Sequence, residues 1–390
     1  MPERVVLLSA VRTAIGRYGG SLREISAPRL GAQVVKEAVR RSGIGMEEVD
    51  EVIMGNVLSA GLGQNPARQA ALMAGMPVGV GALTVNQVCG SGLQAVILAT
   101  RAIRAGEARF VVAGGMESMS GAPHLLHGLR WGIRAGDADL VDGMLHDGLT
   151  DAFHGIKMGE TGERIARKYG VTRQEADAFA VRSHHLAAEA QKSGKFDREI
   201  VAVPLETVFF ARDECLRGET TMEKLCSLPP AFLPKGILTA GNSSQISDGA
   251  AALLLTSASL ARDRNLMPLA EITHYASSGT APEDVMESPI FAVRRLLERS
   301  GLTLKDMDLV EHNEAFSVAS LAVARELGID LEKLNVHGGA VALGHPIGAS
   351  GARILVTLLH ALQDRKLTRG LATLCMGGGN GLAMTIERTG

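Results

Sequence analysis

Hydrophobic positions along the chain follow two periods. Apolar residues at spacings of three and four predict helices over residues 34–40, 172–194 and 291–298. Thr172, with Glu175 three residues on, has the form of a capping box, and Gly194 suits the far end of that helix. Short apolar runs bounded by glycine or acidic turns predict strands over 49–54, 110–113, 249–256, 307–310 and 371–374. Behind Cys89, Leu93, Val96, Ile97 and Ile103 share one helical face with Thr100.

The predicted elements recur. Arg41-Ser42-Gly43-Ile44 matches Arg299-Ser300-Gly301-Leu302, each after a helix and before an acidic turn and a strand. Cys89-Gly90-Ser91-Gly92 and Gly348-Ala349-Ser350-Gly351 each open a helix. The strand 110–113 runs into Gly114-Gly115 as 372–376 runs into Gly377-Gly378. Three pairs in the same order, about 260 residues apart, predict a duplicated α/β unit. The stretch 121–247 carries Pro, charge and isolated helices, and reads as an insertion in the first copy. Strand 249–256 then returns to the first sheet.

Composition narrows the function. The chain has 390 residues, 40 Lys and Arg against 42 Asp and Glu, and a formal net charge of -2. That balance excludes a polyanion-binding surface, so no nucleic-acid partner is expected. Glycine reaches 46 residues while aromatics make up only 3%, which favours close backbone approaches over base stacking. No apolar run approaches the roughly 18 residues of a membrane span, so no membrane partner is expected. The first residues carry no signal-peptide pattern, and Arg388-Thr389-Gly390 is no lipidation signal. The four cysteines form no CxxC, so neither a zinc site nor a thioredoxin-like motif is expected. A cytoplasmic, reduced enzyme follows from these readings.

Four positions can carry chemistry. Cys89 lies at a strand-to-helix turn, where backbone N–H groups and the helix end favour thiolate; a small buried structural cysteine competes with that reading. Cys375 enters Met376-Gly377-Gly378-Gly379, whose N–H groups can approach a ligand. His345 is held extended by Pro346. Asn313 follows the strand 307–310, at the end where α/β folds place ligands. If the copies pack about a pseudo-twofold, these four share one pocket. Two thiols, an imidazole and an amide suit acyl transfer coupled to a second proton abstraction. No GxSxG elbow is present, which disfavours a Ser-His-Asp hydrolase.

Asn86-Gln87-Val88-Cys89-Gly90-Ser91-Gly92, Asn313-Glu314-Ala315-Phe316, Gly344-His345-Pro346-Ile347-Gly348 and Cys375-Met376-Gly377-Gly378-Gly379 together resemble the thiolases. The likeness runs nearly end to end, including Ser9 to Ala14 and Gly114 to Met119, and is greatest to the acetoacetyl-CoA thiolase group. It implies a thiolase-like α/β fold: a duplicated five-layered α/β/α/β/α core of two similar halves plus an inserted loop domain. The expected parts are 1–118 with 248–268, the insertion 119–247, and 269–390. The resemblance implies that Cys89 is acylated, that His345 is its base, and that Cys375 handles the α-proton. His345 and a water held by Asn313 would form one oxyanion hole. The N–H groups of Cys89 and Gly377 would form the other. Arg217 and Lys224 would lie near the nucleotide end of coenzyme A and Ser244 near its pantetheine. Leu149, Met158, Phe232, Met286, Ala315 and Phe316 would line the channel.

The implied reaction joins two acetyl-CoA into acetoacetyl-CoA and CoA. Coenzyme A is substrate and product, and no metal or redox cofactor is implied. The alternative is a degradative 3-ketoacyl-CoA thiolase for longer chains, which shares every catalytic residue. Three departures lie near the substrate: Lys157 where that group carries His, the stretch 160–164, and a shortened loop at Glu287. Lys157 is expected to reach solvent or an anionic group. The stretch 124–147, with Leu125, Leu126, Leu129, Trp131 and Ile133, resembles the family's tetramerisation loop and implies a homo-oligomer, a dimer of dimers.

Overall fold

A computed structural model describes residues 3–389. The strand Val5–Thr13 is buried at every position. Val5 and Leu7 face one hydrophobic core while Val6 and Leu8 face another, the period-2 alternation of a strand covered on both sides. This strand lies in the middle of one mixed sheet. The strand order is Leu309–His312, Arg369–Met376, Asn380–Arg388, Ala270–Gly279, Val5–Thr13, Ser247–Ser257, Phe110–Ser118, Glu51–Gly55, Gly81–Val85.

The duplication predicted from the motifs is present in the pairing. In the first half Val5–Thr13 pairs antiparallel with Ser247–Ser257, that strand antiparallel with Phe110–Ser118, and that one parallel with Glu51–Gly55. In the second half Ala270–Gly279, Asn380–Arg388, Arg369–Met376 and Leu309–His312 repeat the same succession. Gly81–Val85 extends the first half, whereas a single bridge from Val310 to Leu334 stands in its place in the second. Within the sheet the halves pair where Val5, Val6 and Leu7 meet Ile272, Glu271 and Ala270.

Helices complete five layers. Ser91–Ala105 and Ile347–Arg365 form the middle layer, packing Leu93, Val96, Leu355 and Leu358 onto strands of both halves. Ala27–Ser42 and Pro66–Met73 cover the outer face of the first half. Ser288–Ser300 and Ser317–Leu327 cover that of the second. The two middle helices approach without intervening side chains. A Cβ on Gly92 would lie 2.8 Å from the Ala352 nitrogen and one on Gly351 2.6 Å from the Leu93 nitrogen, while on the strand beneath a Cβ on Gly115 would overlap the Gly348 oxygen outright.

Between Ser118 and Ser247 lie the helices Met158–Lys168 and Arg173–Lys192. Thr172 caps the second by accepting from the Glu175 N–H, as predicted. Buried Arg12 of the first strand ties this segment down. It donates to Glu199 at 2.6 Å and to Asp213 at 2.7 and 2.9 Å. The hairpin His124–Leu126 with Leu140–Asp142 leaves Leu129, Trp131, Ile133 and Leu140 exposed.

Candidate active site

Cys89 follows the strand Gly81–Val85 through a tight turn. Val88 holds φ 48°, a conformation costly for a β-branched residue. Ser91 clamps this turn, donating to the Val88 carbonyl at 2.6 Å and accepting from the Gln87 N–H at 2.8 Å. Cys375 sits near the end of the strand Arg369–Met376, its Sγ 3.8 Å from Met286 Sδ. The next glycines turn the chain at positive φ, 83° at Gly378 and 86° at Gly379. The Gly377 N–H hydrogen-bonds the Cys89 thiol.

His345 is fixed from both ends. Its N–H donates to Ser247 Oγ at 2.7 Å and to the Gln245 carbonyl at 3.0 Å. Its Nδ1 lies 2.5 Å from Ser350 Oγ, which itself donates to the Pro346 carbonyl at 2.9 Å. With that hydroxyl proton engaged, the network assigns the imidazole proton to Nδ1 and leaves Nε2 as the acceptor. Nε2 lies 3.3 Å from Asn313 Nδ2. Asn313 is buried just past Leu309–His312, and its N–H donates to the Thr373 carbonyl at 3.1 Å.

Three of the four expected groups share one pocket. Cys89, His345 and Cys375 line, with Gly377, a cavity of about 50 Å³, walled by Leu149, Met158, Ser244, Met286, Ala315 and Phe316, whereas Asn313 is buried behind His345 and is not part of that lining. Leu149, Met158, Ser244, Phe316 and His345 also face a chamber of about 440 Å³. Arg217 and Phe232 line that chamber, with Phe232 edge-on to Phe316 at 5.8 Å between centroids. Its charged lining residues are Lys157 and Arg217, with no carboxylate among them. Lys224 lines neither space; its Nζ donates to the Glu219 carbonyl at 2.7 Å.

Electrostatics correct one expectation. The turn and helix end were expected to favour the Cys89 thiolate. Burial outweighs them and pushes the thiol up to about 11, against the lowering N–H bonds of Gly377 and Cys89 itself. Burial pushes Cys375 up further, with the Cys89 sulfur adding to it. Burial drives His345 down to about 3, with the Arg353 charge in support. The resting site thus holds two thiols and a neutral imidazole.

The departures near the substrate have separate explanations. Lys157 precedes Met158–Lys168, is exposed, and its Nζ has no partner among the described residues, in line with the solvent contact expected. Glu163 is buried and accepts from Ile237 and Leu238 N–H at 3.0 and 2.8 Å. Glu287 is buried between Lys168 at 2.7 Å and Tyr169 at 2.9 Å. Sequence reasoning missed Ser350, although a polar residue at the head of an apolar helix, five after a histidine, was a usable signal. It also missed Glu117, whose contacts lie far along the chain.

A duplicated α/β core with two thiols, an imidazole and an amide at the junction of its halves is the frame of the thiolase fold. Residues 5–259 match the model of the thiolase N-terminal domain, and 266–388 that of the thiolase C-terminal domain. An acetyl-CoA acetyltransferase of Escherichia coli (strain K12) is 54% identical over 391 residues, covering 99% of each chain. One from Cupriavidus necator is 53% identical, covering 98% of this chain and 99% of its own. The crystal structure of the Bacillus anthracis acetyl-CoA acetyltransferase superposes with a TM-score of 0.97 at 44% identity, over 100% of this chain and 99% of that one. The chain belongs to the thiolase family.

Proposed function

We propose that this protein is an acetyl-CoA C-acetyltransferase, joining two acetyl-CoA into acetoacetyl-CoA and CoA through an acetyl-Cys89 intermediate. The observation that carries the mechanism is the single cavity that holds both thiols and His345 beneath the Gly377 N–H. In the first half-reaction His345 Nε2 takes the Cys89 proton and the sulfur attacks the thioester carbonyl. The Cys89 and Gly377 N–H groups hold the oxyanion of the tetrahedral intermediate. CoA leaves with the proton from His345. In the second, Cys375 passes its thiol proton to His345 Nε2 and, as thiolate, takes the α-proton of a new acetyl-CoA. His345, now a donor from Nε2, and a water on Asn313 hold the enolate oxygen. The enolate carbon attacks acetyl-Cys89, the C–S bond breaks, and the Cys89 thiolate recovers its proton from His345 Nε2, which restores both thiols and the neutral imidazole.

Arg217 and Lys157 give the chamber its positive lining, which suits the anionic coenzyme. Lys224 retains a place near the nucleotide only if the coenzyme runs beyond the chamber. We read residues 119–247 as the inserted loop domain, the assembly as a dimer of dimers, and the compartment as the cytoplasm. Among the described residues no helix is long and apolar enough to cross a membrane.

The test is CoA-dependent cleavage of acetoacetyl-CoA beside a medium-chain 3-ketoacyl-CoA. Acetoacetyl-CoA is expected to show the higher kcat/KM by about tenfold or more, since pocket walls discriminate methylenes at this level. Equal or better cleavage of the longer chain would move the protein to the degradative class.

A further inference from the structure

Glu117 is wholly buried in the strand Phe110–Ser118, and the mechanism above does not use it. Its carboxylate nevertheless collects four donors from two places, the loop 56–58 and Gly348. Oε1 accepts from Asn56 Nδ2 at 2.8 Å and from the Leu58 N–H at 3.1 Å. Oε2 accepts from the Val57 N–H at 3.1 Å and from the Gly348 N–H at 2.8 Å. The first three belong to the half that carries Cys89. The last is the first turn of Ile347–Arg365, three residues past His345. Pro346 caps that helix without a side-chain bond, so Glu117 supplies from the other half the anion that the helix end favours. The loop it holds is also part of the pocket wall: Val57 and Leu58 cluster with Ile347, Cys89 and Leu149. Gly348 fits only because it lacks a side chain; a Cβ there would lie 2.6 Å from Glu117 Oε2.

We propose that Glu117 is a positioning residue that sets the register between Cys89 in one half and His345 in the other. This rests on the assignment of Cys89 and His345 as nucleophile and base. The strand junction between the halves is three residue pairs long, and to it, the middle helices and the Ser247 bond to His345, Glu117 adds a side chain that gathers donors from the loop beside Cys89 and from the helix that follows His345. Nor is Glu117 an economical brace. Burial holds its carboxyl up at about 7, and its charge further disfavours the Cys89 thiolate. An apolar contact would join the halves without that burden, but it could not gather N–H groups from both sides.

Glu117→Gln keeps the volume and replaces one twofold acceptor by an NH₂ group that faces donors. The readout is acetylation of Cys89 by acetyl-CoA, followed by mass, together with turnover and KM. Turnover and the acetylation rate are expected to fall together by about tenfold or more, the scale of a misplaced reacting pair. KM for acetoacetyl-CoA should stay within about twofold. Protonation of Glu117 should do the same to the wild type, giving an acid limb near pH 7 in the acetylation rate. His345, held near 3, cannot supply that limb. The titratable groups facing Glu117 are Asp248 on the adjoining strand and the Cys89 thiol; the 56–58 loop and the Gly348 turn bring only amide donors. Wild-type acetylation that is flat through pH 7, or a folded Glu117→Gln that acetylates at the wild-type rate, overturns the proposal. So does a variant whose loss equals its unfolded fraction. Wild-type protein that takes no acetyl group on Cys89 at any pH would instead overturn the proposed function.

Discussion

Cys89 and Cys375 carry the same functional group in different settings. Cys89 receives the Gly377 N–H and is partly open to the cavity, whereas Cys375 is buried against Met286. The first is built to be approached by a carbonyl, the second to meet a proton beside it. Cys89→Ser should therefore lose the acetyl mass increment. Cys375→Ala should keep that increment and lose carbon–carbon bond formation by about a thousandfold or more, the scale of removing a general base with its proton route. Near-full turnover in Cys375→Ala would remove the second assignment. These residues were legible in the sequence because each sits in a short glycine- or proline-bearing motif that dictates its backbone. The ionisation of Cys89 was not legible. It depends on how much of the second half closes over it, and residue 89 and its neighbours carry no record of that. Glu117 was visible only as a letter in Gly114 to Met119, because its decisive partner is Gly348.

At the scale of elements, the helices Ser91–Ala105 and Ile347–Arg365 bring the two catalytic turns together through backbone contact. Gly115→Ala would drive a methyl group into the Gly348 carbonyl, and neither the strand nor the helix can yield. We expect a loss of about 3 kcal/mol or more, or failure to accumulate as folded protein. Gly79→Ala, with open space around its Cβ position, should stay within about 0.5 kcal/mol. Thermal or denaturant unfolding of both variants checks the contrast. An undisturbed Gly115→Ala would show that the strand and the helix Ile347–Arg365 have room to separate. The repeated elements could be read from local periodicity and matched motifs, whereas the strand order could not. Ser247–Ser257 lies between strands more than a hundred residues earlier, and nothing in its own residues names those neighbours.

For the whole molecule, the exposed apolar hairpin calls for a cover. Leu129, Trp131, Ile133 and Leu140 protrude from one place in a chain with 3% aromatic residues. Light scattering should give the mass of four chains. Replacing Leu129 and Trp131 by Ser should give two, with the Cys89 site still acetylated. Trp131 is the only tryptophan and is 88% exposed in the single chain, so its emission should shift to the red as the tetramer comes apart. A monomer at working concentration would refute the assembly.

The central position of Val5–Thr13 also bears on how the protein is made. This strand leaves the ribosome before all of its partners, which are Ile200–Val201, Ser247–Ser257 and the start of Ala270–Gly279. Until those segments emerge, a nine-residue, largely apolar strand waits with both edges bare. Folding cannot then proceed in the order of synthesis, and the nascent chain passes through a long interval in which sequestration by chaperones competes with self-association.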